Sequence, residues 1–314
     1  MSSVRLVPDM GEDRVTAVDS WRALRRYGPG RFLRFSFIRF RYGDGFSHSR
    51  ALGLQLGLAA VPLVIAAIGL SSTLRDQSLR QVLFQTMLEL TPGASEDLLS
   101  RMLSPRAQDF EDDVFALVLG LGFALIALTT AMGQLERGAN RIYGVQRDRP
   151  VVHKYGRAAL LAGVAGLPAM AGFVVLVTAD ASSEALESVY GLSDDAATAS
   201  TRSVGVVLLV AAITIMLRHS PRRQQPGWSL LAVGSLVAVV SWIGLTALLG
   251  AFLKLSAQIG SVYGPLTGVM ALLVWAQLTS VTLFLGMAVS AELEVAAAAL
   301  RRGGWHSPDT DADL

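Results

Sequence analysis

The fold is decided by the stretch from Trp228 to Leu253, which reads WSLLAVGSLVAVVSWIGLTALLGAFL. It contains 26 residues and no Asp, Glu, Lys or Arg. About 20 apolar residues are needed to cross ~30 Å of hydrocarbon as a helix. Buried helices of large soluble proteins are usually amphipathic and about 8–20 residues long, whereas this stretch is apolar on every face. The stretch therefore predicts a transmembrane helix.

Five further stretches also lack charged residues, so none of the 27 Lys plus Arg or 25 Asp plus Glu lies in any of the six. The fourth, 203–217, is short by itself, but it is long enough if Arg202 extends back to the lipid headgroups. The predicted spans are 51–72, 114–134, 158–178, 196–217, 228–253 and 265–289. The predicted fold class is therefore an all-α, polytopic transmembrane helical bundle with six spans.

The overall composition agrees with a membrane protein. Of 314 residues, 52% are hydrophobic and 17% are charged, and the mean hydropathy is +0.47. Soluble domains have about a quarter of their residues charged. The chain contains no Cys, which excludes disulfides, thiolate metal sites, iron–sulfur clusters and cysteine nucleophiles.

The distribution of basic residues predicts the topology. Alternate extramembrane segments contain 21 Lys plus Arg on one side of the membrane and 6 on the other. Because the side richer in Lys and Arg faces the cytoplasm, both termini are expected to be cytoplasmic. No cleavable signal peptide is visible, since the first 50 residues include ten Arg and no apolar core. The basic residues lie where membrane insertion requires them, so we expect no nucleic-acid partner.

Two tails flank the predicted membrane domain of residues 47–300, and a long loop connects its first two spans. Residues 1–46 form a cytoplasmic tail, of which 1–20 are predicted to be disordered. The first outer loop, 73–113, has helical apolar spacing over 79–90 and again over 98–103, which predicts two short amphipathic helices. Residues 301–314 are predicted to be a disordered acidic tail.

Arginine and aromatic residues alternate in the second half of the N-terminal tail. On a helical wheel four Arg fall within about 160°, and apolar side chains lie opposite; the two sets are Arg31, Arg34, Arg39 and Arg41, and Leu33, Phe37 and Phe40. This pattern predicts a helix in the membrane plane with its guanidinium groups directed to phosphates. A partner-binding or RNA-binding arm is the alternative.

Motifs that mark catalysis are missing from the sequence. It has no P-loop and no serine in a nucleophile elbow. Its four His residues are not spaced as metal ligands. We therefore expect no catalytic residues, no metal, no cofactor and no enzymatic activity.

Polar side chains do occur within and beside the spans. Glu136, Arg137, Asn140, Arg141 and Arg149 form a candidate cytoplasmic cluster for an anion or a lipid headgroup. Glu136 is expected to pair with one of the three Arg, although the cluster also fits an ordinary charged helix end. Polar groups at membrane depth tend to face the bundle interior, and the candidate substrate pathway consists of Gln55, Thr130, Gln134, Gln277 and Ser280.

The segment after the second span contains a run of motifs: Leu135-Glu136, Asn140-Arg141-Ile142-Tyr143-Gly144-Val145 and Arg149-Pro150. Further residues fit the same pattern, namely Pro62, Trp242, Tyr263-Gly264, Trp275, Gly286 and Ala291-Glu292-Leu293. In these positions the chain resembles the YihY/BrkB family of bacterial inner-membrane proteins. The resemblance covers roughly residues 40–300 and implies six spans with cytoplasmic termini in the inner membrane of a bacterium.

The chain departs from this family pattern at four positions. Leu54 and Gln55 stand where aromatic residues are usual, and Ala288 and Ser290 stand where a Glu and an Asn are usual. The family's intramembrane Glu therefore has no counterpart here. Some members carry the label ribonuclease BN, but the sequence contains no constellation of metal-binding or acid–base residues for that chemistry.

Three functions are compatible with these features. The first is a transporter or flippase-like permease for a lipid-like or anionic substrate, an activity that the resemblance also implies. The second is a non-transporting scaffold that recruits partners or lipids through its Arg-rich cytoplasmic face, and the third is an intramembrane enzyme acting on lipid. Membrane lipids are the expected partners, and a homo-oligomer or an envelope protein partner is compatible with the sequence.

Overall fold

The computed structural model describes residues 28–73, 110–146, 149–177, 194–255 and 265–301, together with Val7, Pro8, Val18, Arg22 and Arg25. These parts contain seven helices and no strand. The helices are α1 (Pro29–Tyr42), α2 (Gly45–Thr73), α3 (Phe110–Ile142), α4 (Val151–Val177), α5 (Asp194–His219), α6 (Trp228–Leu255) and α7 (Pro265–Arg301). Helices α2 to α7 are each long and apolar enough to span a membrane, which confirms the predicted fold class. Which side each terminus faces stays a prediction.

Proline and glycine residues mark the helix boundaries. Pro29 occupies the first turn of α1, directly after Gly28 with φ 79°; proline suits that position because its missing N–H needs no partner there. Asp44 with φ 55° turns the chain from α1 into α2, and Gly144 with φ 76° follows the end of α3. The loop between α5 and α6 contains two prolines. These turns place α1, the 143–150 loop and the 220–227 loop together with the C-terminal part of α7.

The six long helices form a ring in chain order. Each of α2 to α6 packs on the next helix, and α7 closes the ring by packing on α2. Helices α3 and α7 also touch across the ring, and α1 packs mainly on α7. Short loops join α3 to α4 and α5 to α6, so each of these pairs is antiparallel.

Small residues allow the closest helix contacts. Gly172 and Gly205 bring α4 and α5 together, because a Cβ on either would lie 2.9–3.0 Å from the carbonyl oxygen of the other. Membrane helices commonly associate through small residues of this kind. Gly53 and Gly57, four residues apart on α2, both face α7 at such a contact. Gly166, four residues after Ala162 on α4, is different, because a Cβ on Gly166 would meet nothing within 4 Å.

Burial is uneven along the bundle. We call the end formed by α1, the 143–150 and 220–227 loops and the C-terminal part of α7 the basic end. The buried residues of α6 are confined to its first half, from Leu230 to Val239, and no residue from Val240 to Leu255 is buried. The largest apolar core likewise lies toward the basic end, where Leu135, Ile142 and Phe284 are almost fully buried. Proline residues Pro62 and Pro168 lie within α2 and α4, which continue through them.

Several predicted features lie outside the described residues. These are the two amphipathic helices of the first outer loop, and Tyr263-Gly264 of the family resemblance. The C-terminal tail also lies outside them, apart from Arg301, the last residue of α7.

Val7 and Pro8 in the N-terminal tail differ from the prediction made for that segment. Residues 1–20 were expected to be disordered, but Val7 is 2% exposed and belongs to the main core. The carbonyl oxygen of Pro8 accepts a hydrogen bond from Arg223 Nη2 at 3.1 Å. An apolar side chain flanked by a proline can enter a core without regular structure, and hydrophobic periodicity gives no signal for a single residue.

Because the chain has no cysteine, this contact can be tested by single-cysteine labelling. A water-soluble maleimide is expected to react about tenfold or more slowly with Val7→Cys than with Val18→Cys, since local opening must precede labelling of a buried thiol. Val18 is the matched control because it is 56% exposed. Arg223→Gln in the Val7→Cys background should raise the rate. Equal rates at positions 7 and 18 would show that the tail is not docked.

Candidate functional site

A buried ion pair joins α3 to the loop that follows it. Arg149 Nη1 lies 2.9 Å from Glu136 Oε2, and the two side chains are 14% and 5% exposed. Arg149 also donates to the carbonyl oxygens of Ser220 at 3.1 Å and Pro221 at 2.9 Å. One guanidinium group therefore ties α3 and both loops of the basic end together.

Asn140 makes a second link one helical turn from Glu136. Its Oδ1 accepts a hydrogen bond from the backbone N–H of Arg222 at 2.7 Å, and the residue is 2% exposed. Positions i and i+4 lie on the same face of a helix. Glu136 and Asn140 therefore both face the 220–227 loop.

The other two members of the predicted cluster face outward. Arg137 is exposed and donates to Gln134 Oε1 at 3.4 Å. Arg141 Nε lies 3.0 Å from Asp44 Oδ2, with both side chains half exposed. The predicted cluster therefore divides into an inward set (Glu136, Asn140 and Arg149) and an outward pair. Of the three arginines considered for Glu136, Arg149 is its partner.

A second ionic network at the same end was not predicted as part of the site. Arg39 Nε of α1 lies 2.6 Å from Glu292 Oε1, and Arg39 Nη1 donates to the carbonyl oxygen of Ile142 at 3.3 Å. The Arg39 side chain is 4% exposed. The helical wheel grouped Arg39 with lipid-facing arginines, but it is buried and fixes α1 to α3 and α7. Arg31, Arg34 and Arg41 are exposed, and their contact with lipid phosphates stays a prediction.

Of the four ion pairs described here, the one between Arg223 and Glu294 is the most buried. Two hydrogen bonds join them, from Nη2 to Oε1 at 2.6 Å and from Nη1 to Oε2 at 3.1 Å, and the side chains are 6% and 1% exposed. The Arg223 guanidinium also lies 5.0 Å from the centre of the Tyr143 ring. Burial raises the pKa of the Tyr143 hydroxyl, and the Glu294 carboxylate raises it further. Tyr143 therefore remains neutral.

Several buried polar atoms beside these networks have no hydrogen-bond partner within the described part of the chain. They include Tyr143 Oη, Ser290 Oγ, Glu136 Oε1 and both side-chain polar atoms of Gln225. The Tyr143 and Ser290 hydroxyls face each other without a well-formed hydrogen bond. Buried polar groups without partners are costly. The interior of the basic end is therefore polar, and some of its hydrogen-bonding groups lack partners within the described residues.

The second network had a signal in the sequence. Glu292 and Glu294 are the only acidic residues of α7 and stand in its alanine-rich end. An α-helix turns 100° per residue, so these two carboxylates project about 200° apart. They accordingly reach different partners, Arg39 and Arg223.

The predicted pathway residues occupy different surroundings. Gly53 of α2 packs on the backbone of Gln277 in α7. Gln55 Oε1 is buried without a partner. The Ser280 and Thr130 hydroxyls donate to the carbonyl oxygens of their own helices, and Thr130 is exposed.

An aromatic cluster links three helices in the half of the bundle away from the basic end. Phe173 of α4, Trp242 of α6 and Trp275 of α7 have ring centres 5.9–6.3 Å apart. Trp242 Nε1 donates to Thr279 Oγ1 at 3.0 Å. The Phe173 ring thereby connects α4 with α6 and α7, neither of which is a neighbour of α4 in the ring.

A lateral groove of about 610 Å³ lies elsewhere, between α5 and α6. Its lining includes Val207, Val210, Ala211, Trp228, Ala232 and Leu236. None of the predicted pathway residues lines it. Among the described residues there is also no group of three or more His, Asp or Glu that could hold a metal ion.

Six apolar helices in a closed ring, with buried ion pairs at one end, define a polytopic α-helical membrane protein. The family model described as virulence factor BrkB matches residues 37–310, and the chain belongs to this family, the YihY/BrkB family. The resemblance inferred from the sequence is thereby confirmed. Neither a curated protein nor a solved structure matches the chain.

Proposed function

We propose that the chain is a permease or flippase-like transporter for a lipid-like or anionic substrate in the inner membrane of a bacterium. The observation that supports this proposal is the set of three buried ion pairs at the basic end, which fix α1 to α7, the 143–150 loop to α3 and the 220–227 loop to α7. Buried ion pairs seldom stabilise a protein more than apolar residues of similar volume would. Ionisable groups within membrane domains commonly belong to transport pathways.

The pairs would act as a closed gate. Arg149 holds Glu136 and two loop carbonyl groups at once, so an anionic substrate that competes for Arg149 would loosen the 220–227 loop. Phosphate and carboxylate groups bind guanidinium groups through similar charge-assisted hydrogen bonds. The sequence contains no ATP-binding motif, so transport would be passive, ion-coupled or driven by a partner.

A scaffold remains the second candidate, because Arg31, Arg34 and Arg41 are exposed on α1. Deleting residues 1–46 would not separate the two functions, since it would also remove Arg39 and Phe40 from the packed structure. Substituting the three exposed arginines by glutamine leaves the core intact. A scaffold should then lose partner or lipid recruitment, whereas a permease should retain its flux.

Reconstitution into vesicles tests the proposal. The full chain is expected to move at least one member of a panel of labelled anionic lipids, zwitterionic lipids and small anions faster than protein-free vesicles do. Glu136→Gln removes a charge from the proposed gate and should raise that flux about tenfold or more, because a charge-assisted hydrogen bond contributes about 1.5–3 kcal/mol and about 1.4 kcal/mol is a factor of ten.

Asp44→Asn is the matched control, since it makes the same acid-to-amide change in an exposed pair and should leave the flux unchanged. If no panel member moves faster than in protein-free vesicles, the transport proposal is wrong. Equal fluxes in wild type and Glu136→Gln, with transport present, would exclude the Glu136–Arg149 pair as a gate.

A further inference from the structure

The groove between α5 and α6 has the dimensions of one membrane leaflet. It extends along α5 from Val206 to Ile215 and along α6 from Trp228 to Leu236. At 1.5 Å per residue these segments are about 12–14 Å long, close to half of the ~30 Å hydrocarbon thickness. Its volume of about 610 Å³ is in the usual range for ligand sites.

The lining of the groove suits hydrocarbon. Valine, alanine, leucine and isoleucine side chains make up most of it. The Thr214 hydroxyl already donates to the carbonyl oxygen of Val210 at 2.6 Å and lies 2.9 Å from Ser235 Oγ. A polar solute would therefore find few free partners along the groove, whereas an acyl chain needs none.

Basic side chains gather at the end of the groove nearest the 220–227 loop. The Arg218 guanidinium lies 4.7 Å from the centre of the Trp228 ring, and Arg218 Nη1 donates to the carbonyl oxygen of Pro226 at 3.2 Å. Arg157 Nε donates to the carbonyl oxygen of His219, whose ring centre is 6.3 Å from that of Trp228. Tryptophan is typical of the membrane–water interface, and arginine is suited to phosphate.

We propose that this groove is a binding site for an anionic phospholipid of the leaflet at the basic end. One acyl chain lies along Val210, Ala211 and Leu236, and the headgroup phosphate contacts Arg218 beside Trp228. The two parts of the lipid match the two parts of the site: the hydrocarbon chain lies in the apolar groove, and the phosphate lies at its basic end. This site goes beyond the proposed transport and is the same whether the chain is a permease or a scaffold.

Native mass spectrometry of the full chain tests this proposal. After purification from vesicles with equal phosphatidylglycerol and phosphatidylcholine, wild type is expected to retain phosphatidylglycerol in preference. Ala211→Phe fills the groove from an exposed position on α5 and should reduce retention of both lipids about tenfold. Arg218→Gln should lower the ratio of retained phosphatidylglycerol to retained phosphatidylcholine about tenfold, because it removes a charge-assisted hydrogen bond. Arg218→Lys should keep most of the wild-type ratio.

Matched controls separate the groove from the rest of the lipid-facing surface. Ala171→Phe changes an exposed alanine of α4, and Arg50→Gln changes an exposed arginine of α2; both should behave like wild type. Retention equal to wild type in Ala211→Phe, or an equal loss in Ala171→Phe, would overturn the site. An unchanged lipid preference in Arg218→Gln would overturn the headgroup assignment. As a check that does not require Arg218 to be altered, phospholipids with brominated acyl chains should quench wild-type fluorescence more than that of Trp228→Phe.

Discussion

Glu294→Gln is expected to lower the free energy of unfolding by about 3–5 kcal/mol, the usual effect of removing one partner of a buried ion pair. Glu294 is 1% exposed and accepts two hydrogen bonds from Arg223. The substitution leaves the Arg223 guanidinium buried with its main counter-charge gone. Thermal or denaturant unfolding in detergent micelles, followed by tryptophan fluorescence, measures the loss.

Removing both charges should restore part of that stability. In Arg223→Met/Glu294→Leu neither charge remains to be desolvated, and replacing a whole buried pair by apolar residues is often neutral or stabilising. The double variant should therefore be more stable than Glu294→Gln. It should not recover fully, because Arg223 also donates to Pro8 and contacts the Tyr143 ring.

The Arg141–Asp44 pair provides the control for both variants. It joins the same two kinds of charge at 3.0 Å, but both side chains are 50% exposed. Exposed pairs contribute about 0–1 kcal/mol, so Asp44→Asn should have little effect. A Glu294→Gln loss no larger than that of Asp44→Asn would show that the buried pair does not support the fold.

The spans could be predicted from the sequence because the constraint that defines them is local. A helix that crosses hydrocarbon cannot contain charge along about 20 residues, and the gap from Trp228 to Leu253 is visible without any knowledge of its neighbours. Helix α6 then begins at Trp228 and ends two residues beyond the predicted span, at Leu255. The two added residues include Lys254, whose charge is expected at the membrane–water interface.

The rotation of each helix about its axis could not be predicted in this way. The helical wheel placed Arg39 and Arg41 on the same face of α1, yet Arg39 is buried and Arg41 is exposed. What separates them is Glu292, which lies 253 positions away in the sequence. The same limit explains the divided site: Glu136 and Arg137 are neighbours, but 100° of rotation places one against Arg149 and the other outside. The α5–α6 groove depends on the relative placement of two helices, which no motif encodes.

The stability of the protein should be sensitive to a single methyl group added at the contact between α6 and α7. A Cβ on Gly286 would lie 2.8 Å from both the Ala238 Cβ and the Gly234 carbonyl oxygen, and one on Gly234 would overlap Ser290 Oγ. Neither backbone can yield without separating the helices. Gly286→Ala and Gly234→Ala are each expected to destabilise the protein by about 1–3 kcal/mol, the usual effect of overpacking a core, and Gly286→Val by more, because its side chain adds two further methyl groups. The same unfolding measurement reports each loss.

The same substitution at Gly244 of α6 is expected to have a different effect on stability. It is exposed, and a Cβ there would meet nothing within 4 Å. Alanine in a helix is favoured over glycine by about 0.5–1 kcal/mol, so Gly244→Ala should be neutral or slightly stabilising. The difference in sign between Gly244 and Gly234, ten residues apart on one helix, tests the helix contact rather than helix propensity. If both substitutions changed stability alike, α6 and α7 would not be packed at Gly234 and Gly286, and the ring of helices would lack this close contact.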